Sequence, residues 1–496
     1  MKPLMTASGL VAVLLLAAPA WASGDAETGP SMDEVLAQTD AESAAAADAG
    51  VQAELTDGRQ ATSVQALQID GDTPITSGTA FNPAISIILD TVYSQNFGGE
   101  AGDPPGFGGG HSHGHGHGGH GHGIEDGFQI REVEAVFSGS VDPYFDLMVQ
   151  LAFFEDGVEL EEGYFTTTSL PGGLQVKGGK FLSDVGYINR QHTHDWDFTD
   201  RPLVNEVMFG DEGLSEIGAQ LSWTPATRSY SRFGVEILEG ENPGVAQYVG
   251  EGRSEIVTFD DDANRQRGRV DYGLEDTSSP RLVTAFAKFG PDLGYDHALL
   301  WGISGGYADV WQQVETHSSG RTEVWDGDAW FAGLDFTYKY DAGRSLGHGN
   351  WTVQGEYFYR EIDVDYENRD MDGFTGEDTF DLRGSSSGKF KQDGLYLQTV
   401  YGFRPRWNAG LRFDAVGLTN EAFDDDTDDG GFADFGTTYR YSAQVSYLPT
   451  EFSRLRFQLS QTDFSDGVHG HDDHDDAWRA DLQFTYALGV HGAHDF

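Results

Sequence analysis

The chain has 496 residues, 30 Lys+Arg against 81 Asp+Glu, a formal charge of −51 and no cysteine. That balance excludes a nucleic-acid partner, which needs a basic face, and points toward cations. It also excludes disulfides, thiolate metal sites and thiol nucleophiles. Sixty-six glycines and 12% aromatics beside only 38% hydrophobic residues suit β-hairpins and are too polar for helical membrane spans.

Residues 1–22 read as a secretory signal peptide: Lys2, an apolar core from Leu10 to Ala18, and Ala20-Trp21-Ala22 as a small-x-small cleavage site. Residues 23–80, biased to Ala, Asp, Glu, Gln, Ser and Thr, read as an acidic, mostly disordered periplasmic extension. Residues 81–496 read as the folded body. No later stretch reaches ~18 consecutive apolar residues, so no transmembrane helix is expected.

From Phe81 onward, apolar and polar residues alternate in short segments. Trp407, Ala409, Leu411, Phe413 and Ala415 alternate with Asn408, Gly410, Arg412 and Asp414. Phe145–Phe153, Leu455–Leu459 and the stretch from Asp481 to Val490 do the same. A period of two puts each set on one face of a strand. Connections alternate between short turns (Asp142-Pro143-Tyr144, Pro171-Gly172-Gly173, Pro405-Arg406) and long acidic segments, the short-turn, long-loop pattern of bacterial barrels. The terminal Phe496, directly after a strand, fits the same reading. The fold expected is all-β: a transmembrane antiparallel β-barrel of about 16 strands enclosing an aqueous channel, with no plug domain. Its strands start near residues 84, 128, 144, 160, 174, 215, 231, 281, 297, 329, 351, 391, 407, 434, 454 and 478. The place expected is the outer membrane of a Gram-negative bacterium, among lipid and lipopolysaccharide.

The chemistry concentrates in histidines. His111, His113, His115, His117, His120 and His122 fall within thirteen residues, separated by little but glycine. Neutral imidazole suits zinc, copper and nickel, and glycine spacers let several rings turn toward one ion. His469, His471, Asp472 and His474 form a second set before the last strand. By strand count both tracts are external and meet across the seam between the first and last strands. A third set, His192, His194 and Asp195, lies in the long segment after strand five. If that segment folds inward, the two histidines stand at the constriction; otherwise it is a packed loop anchored by Trp196. Inside the lumen Glu132, Glu134, Glu159 and Glu161 are expected to line the pore and favour cations. The run Glu421 to Asp429 reads as a solvated loop tip. No catalytic set stands out, so no enzyme is expected.

A resemblance is carried by short motifs spread over much of the barrel. Gln129-Ile130-Arg131-Glu132-Val133-Glu134, the turn at Asp142-Pro143-Tyr144, Leu160 to Tyr164 and Val176 to Phe181 resemble sixteen-stranded porins of the phosphate-selective type. Tyr401 to Trp407, running into Gly410 to Asp414, fits the same pattern. Asn82 to Ser86, Gln191 to Phe198, Pro202-Leu203-Val204 and the terminal His491 to His494 resemble zinc-regulated outer-membrane receptors. The resemblance implies zinc-linked expression and zinc uptake. TonB-dependent members of that family carry a folded plug and about twenty-two strands, which are not expected here. Phosphate-selective relatives use lumen arginines; with 30 basic against 81 acidic residues this chain looks unsuited to anions, so phosphate is not carried over. The leading expectation is a cation-favouring porin-like channel whose histidine loops gather Zn2+ or a similar divalent metal. The alternatives are a general diffusion porin, a TonB-linked zinc receptor and a non-conducting surface metal-binding protein. A homotrimer is expected by analogy alone.

Overall fold

The computed structural model describes residues 83–98, 102–107, 124–154, 157–250, 254–261, 264–271, 274, 277–316, 321–371, 380–424, 431–465 and 476–489. The expected leader and extension, both terminal-loop histidine tracts (111–122 and 469–474) and Phe496 lie outside the described residues.

Period-two alternation becomes strand throughout. The strands are β1 (Ala84–Phe97), β2 (Gly127–Asp142), β3 (Phe145–Phe153), β4 (Val158–Thr167), β5 (Leu174–Leu182), β6 (Ser215–Trp223), β7 (Tyr230–Leu238), β8 (Ser254–Asp261), β9 (Asn264–Asp271) and β10 (Leu282–Gly290). They continue with β11 (His297–Thr316), β12 (Arg321–Tyr340), β13 (Trp351–Met371), β14 (Phe380–Arg404), β15 (Trp407–Asp424), β16 (Gly431–Asp434), β17 (Thr438–Thr450), β18 (Ser453–Asp463) and β19 (Ala477–Gly489). Among the described residues one α-helix, α1 (Leu203–Phe209), sits between β5 and β6.

Each strand pairs antiparallel with its neighbour, and β19 returns to pair with β1 from Ser86↔Gly489 to Phe97↔Trp478. β7 pairs directly with β10, leaving β8 and β9 as a separate hairpin. β16 is a short addition to the end of β15, which pairs with β17 below it. Removing these three from nineteen leaves a closed antiparallel barrel of sixteen strands. Closure matters because it leaves no unpaired sheet edge.

The strand starts agree with the alternation except in two places. β12 and β14 begin well before the expected 329 and 391. The early parts of both continue the ladder beyond the stretch where apolar residues face outward, so alternation could not mark them. Glu421–Asp424, read as loop, continue β15 and pair with β16. The hairpin β8–β9 was not anticipated.

Leu397, Leu411, Phe457, Phe484 and Leu488 face outward and are exposed, whereas Gln398, Arg412, Gln458 and Gln483 face inward and are buried. Trp407 lies tilted on Tyr447 at 4.7 Å and Phe289 stacks on Trp301 at 4.6 Å, close to the short turns. Among the described residues no helix is long and apolar enough to cross a membrane. A closed barrel with an apolar exterior and an aromatic girdle is the architecture of the bacterial outer membrane, and that is where this chain belongs. Leu411, five residues past the β14–β15 turn and 63% exposed, tests the belt. Leu411→Arg should cost about 2–4 kcal/mol if it lies near the bilayer midplane, read as a lower urea midpoint for unfolding from liposomes.

The apolar core sits inside the barrel. Residues 183–214 fold inward, and Val185, Ile188, Leu203, Val204, Met208 and Phe209 pack against Leu282, Phe331, Phe358, Tyr396 and Val416 on the inner wall. Close approach depends on glycine: a Cβ at Gly333 would lie 2.2 Å from the Phe358 ring, and one at Gly244 would lie 2.0 Å from the Met208 carbonyl oxygen. The open aqueous interior expected from strand count is therefore partly filled by one of the chain's own loops.

Candidate lumen site

Two β-bulges build the acidic wall of the lumen. In β2 the register shifts between Asp90/Thr91 partners, so that Asp90 faces Glu132 and Thr91 faces Ile130, with Arg131 as the extra residue. Before the bulge Phe128 and Ile130 point outward; after it Phe137 does, and Glu132 and Glu134 are buried inside. In β4 the shift falls between the partners Leu160 and Glu162, making Glu161 the extra residue. Val158 and Leu160 point outward before it and Phe165 after it. Each bulge switches the parity of the strand, and adjacent polar residues then both turn inward. Glu162, which simple alternation would place on lipid, is buried inside.

The infolded loop brings two imidazoles to this wall. His194 Nδ1 lies 2.9 Å from Glu134 Oε1, and its Nε2 lies 3.4 Å from Asp195 Oδ1. His192 Nε2 lies 3.1 Å from Glu162 Oε2, and its Nδ1 lies 3.7 Å from Glu161 Oε2. The two rings are stacked with centroids 6.0 Å apart. Gln150 Nε2 donates to Glu134 Oε2 at 2.8 Å and to Glu161 Oε2 at 2.9 Å, tying the carboxylates together. Burial alone would lower the His192 imidazole. Its hydrogen bond to Glu162 and the charges of Glu134 and Glu161 outweigh that and push it up to about 10. Burial likewise opposes the charges of Asp195 and Glu134 at His194, which is pushed up to about 9.

Among the described residues two groups have ligand atoms that all lie within 4.8 Å of one another: Glu132, Glu134 and His194, and Glu134, Glu161 and His192. Glu134 belongs to both. The wall glutamates join the sequence grouping of His192, His194 and Asp195, with Asp195 staying beside His194. Glu159 also faces the interior but stands apart, held by Lys180 Nζ at 3.3 Å. A set of one imidazole and two carboxylates is hard-to-borderline chemistry, fitting zinc or manganese better than copper(I).

The loop is placed by the adjoining arc of the wall, β15 to β19, which meets the glutamate strands across β1. Arg454 Nη2 donates to the His194 carbonyl oxygen at 2.7 Å, and Arg456 Nη2 to that of Trp196 at 2.7 Å. Asp200 lies 2.8 Å from Arg412 Nη2, 3.1 Å from Arg440 Nη1 and 2.8 Å from Arg479 Nη2. Although burial opposes it, these guanidinium groups hold the Asp200 carboxyl well below the usual carboxylate range. On the far side Glu356 accepts from the Tyr187 N–H, from the Ile188 N–H at 2.7 Å and from Asn205 Nδ2 at 2.8 Å. The lumen therefore carries an arginine set despite the acidic composition. Net charge counts residues without saying which face they occupy. These arginines clamp the loop.

No protein-family model matches the chain. In fold it is similar to an anion-selective porin from Comamonas acidovorans (10% identity, TM-score 0.46, covering 82% of this chain and 99% of that one). It is similar also to the outer membrane channel DcaP of Acinetobacter baumannii (12% identity, TM-score 0.44, 82% and 97%). A third similar structure is OmpT, an outer membrane protein of Vibrio cholerae (10% identity, TM-score 0.44, 84% and 100%). Over 381 residues the chain is 35% identical to an uncharacterized protein of Aquifex aeolicus (strain VF5), a match spanning 75% of this chain and 70% of that one, and it belongs to that protein's family.

Proposed function

We propose that the protein is an outer-membrane channel that favours cations and passes a divalent metal of the zinc class, and that it is not an enzyme. The observation that carries this reading is Glu134, whose carboxylate is shared between two His–carboxylate groups in the lumen. A metal entering there exchanges water for imidazole and carboxylate without leaving a charge unmatched. Two overlapping groups in place of one closed cage suit passage from site to site, since conduction needs binding that is favourable yet easily left.

In this reading the histidine tracts at 111–122 and 469–474 gather the metal at the mouth. Support comes from the strand ends that bear them: Phe97 pairs with Trp478, so the two segments leave the barrel side by side on one rim. The tracts raise the local metal concentration, and the lumen site selects what passes.

Planar-bilayer recording tests the proposal. In a KCl gradient the reversal potential should have the sign of a cation-preferring pore, and micromolar zinc should alter the current. Protons compete for the same imidazoles, which are pushed up to about 9 and 10. Zinc's effect should therefore strengthen as pH rises from 6 to 8, by up to roughly tenfold per unit for each proton displaced. Chloride preference refutes the cation reading; a current indifferent to zinc at every pH makes this a general diffusion pore.

A further inference from the structure

Beside His192 a cavity, open in part to solvent, is lined by groups of both signs. Four basic side chains lie on it, Arg131, Lys180, Arg201 and Arg479. Three have carboxylate partners: Arg131 lies 3.6 Å from Asp90, Lys180 3.3 Å from Glu159, and Arg479 3.0 Å from Asp481. Arg201 differs. It is 6% exposed, and its Nε and Nη1 have no hydrogen-bond partner among the described residues. Its guanidinium carbon lies 5.1 Å from the Trp196 ring, and the charges of Glu206, Glu356, Asp211 and Glu212 act on it from further off. The same cavity contains a second buried group in want of a partner, Oε1 of Glu132, a residue only 4% exposed.

Burying guanidinium nitrogens and a carboxylate oxygen without hydrogen-bond partners is costly. A lone anion at Arg201 would also meet Glu132, Glu161 and Glu206, and a lone cation at Glu132 would leave Arg201 unanswered. One kind of small molecule satisfies both. We propose that this cavity binds a carboxylate carried beside a positive centre, with the carboxylate on Arg201 and the positive centre on Glu132. The planar fork of arginine fits a carboxylate with two parallel hydrogen bonds, and Trp196 holds that fork in plane. The positive centre has two sources: the ammonium group of a free amino acid, or a divalent metal chelated by one. Only the second source rests on the metal reading above; the first stands without it.

The test is calorimetric titration of the full chain, refolded in detergent, with L-histidine in metal-free buffer and then with zinc–histidine. Acetate and ethylammonium are the half-ligands. L-Histidine in at least one form should bind, and each half-ligand should bind at least about tenfold more weakly, since each satisfies one of two charge-assisted contacts. Arg201→Gln and Glu132→Gln should each weaken binding by a similar factor. Folding is checked by heat-modifiable mobility. If Arg201→Gln does not fold, Arg201→Lys takes its place, keeping the charge and losing the fork, and should still bind more weakly than the parent. Binding without zinc identifies the amino acid as the ligand; binding only with zinc identifies the chelate. Zinc-free binding that depends on Arg201 upholds the proposal even where zinc alone fails to bind and the metal reading falls. Equal affinity in the Arg201 variant, acetate binding as tightly as L-histidine, or no binding of either form overturns it.

Discussion

Asp200→Asn should release the infolded loop and raise the single-channel conductance while leaving the barrel closed. Asp200 sits where Arg412, Arg440 and Arg479 converge, and it also accepts from Gln458 Nε2 at 2.7 Å. Arg412 and Arg479 keep Asp414 and Asp481 as secondary partners, and Arg440 keeps Glu206 at 3.4 Å. Neutralising the shared carboxylate leaves three buried guanidinium groups with too little opposing charge. Breaking a buried pair in this way costs about 3–5 kcal/mol. The backbone hydrogen bonds from Arg454 and Arg456 hold the neighbouring 194–196 segment and supply no negative charge to replace the one lost at residue 200. The sixteen-strand ladder does not involve Asp200, so heat-modifiable mobility should persist. Unchanged conductance and unchanged current noise in the folded variant would show that the loop is held elsewhere.

The pH dependence of the clamp follows in sign. A carboxyl held below its ordinary value contributes stability above its unfolded pKa, near ~3.9, and loses it only as pH falls through the lower folded value. Acid within the range a cell meets should therefore not open the loop, whereas the Asn substitution, which imitates the protonated state, should do so at pH 7.

The second large effect belongs to Glu134. Glu134→Gln should reduce zinc affinity at the lumen site on the order of 100-fold, because it removes the one carboxylate common to both groups. Its neutral amide still accepts one hydrogen bond, so the Gln150 contact and the local packing should survive. His194→Ala should act in the same direction by removing the other anchor of one group. Glu159→Gln is the matched control: it faces the same lumen, but Lys180 already occupies it. Zinc titration followed by current or calorimetry distinguishes them. Equal zinc affinity for the Glu134 and Glu159 variants would remove the lumen site from the metal's path, and leave any zinc effect to the histidine tracts.

Much of the fold was legible in the chain. Trp407 to Ala415 alternate strictly and form a strand whose Leu411 meets lipid and whose Arg412 turns inward, because a pleated backbone has a side-chain period of two. The short turns at Asp142-Pro143-Tyr144, Pro171-Gly172-Gly173 and Pro405-Arg406 are where the chain reverses. His192 and His194 were recognisable as candidate ligands on chemistry alone.

The bulges were half visible. Apolar parity runs even at Phe128 and Ile130 and odd at Val133, Ala135 and Phe137; it runs even at Val158 and Leu160 and odd at Phe165. Such a switch within one strand signals an inserted residue, and it would have brought Glu162 into the site. Composition and local pattern, by contrast, carry no information on pairs such as Arg412 with Asp200 or Arg440 with Glu206, 212 and 234 residues apart. The sequence by itself determined that this chain must close into a lipid-facing barrel, since alternation and turn chemistry are local properties of the backbone. Which wall the loop after β5 leans on, which glutamates meet its two histidines, and that the few basic residues gather inside as a clamp were decided only by closure. Until the first and last strands pair, the residues that form the lumen have no fixed distance from one another.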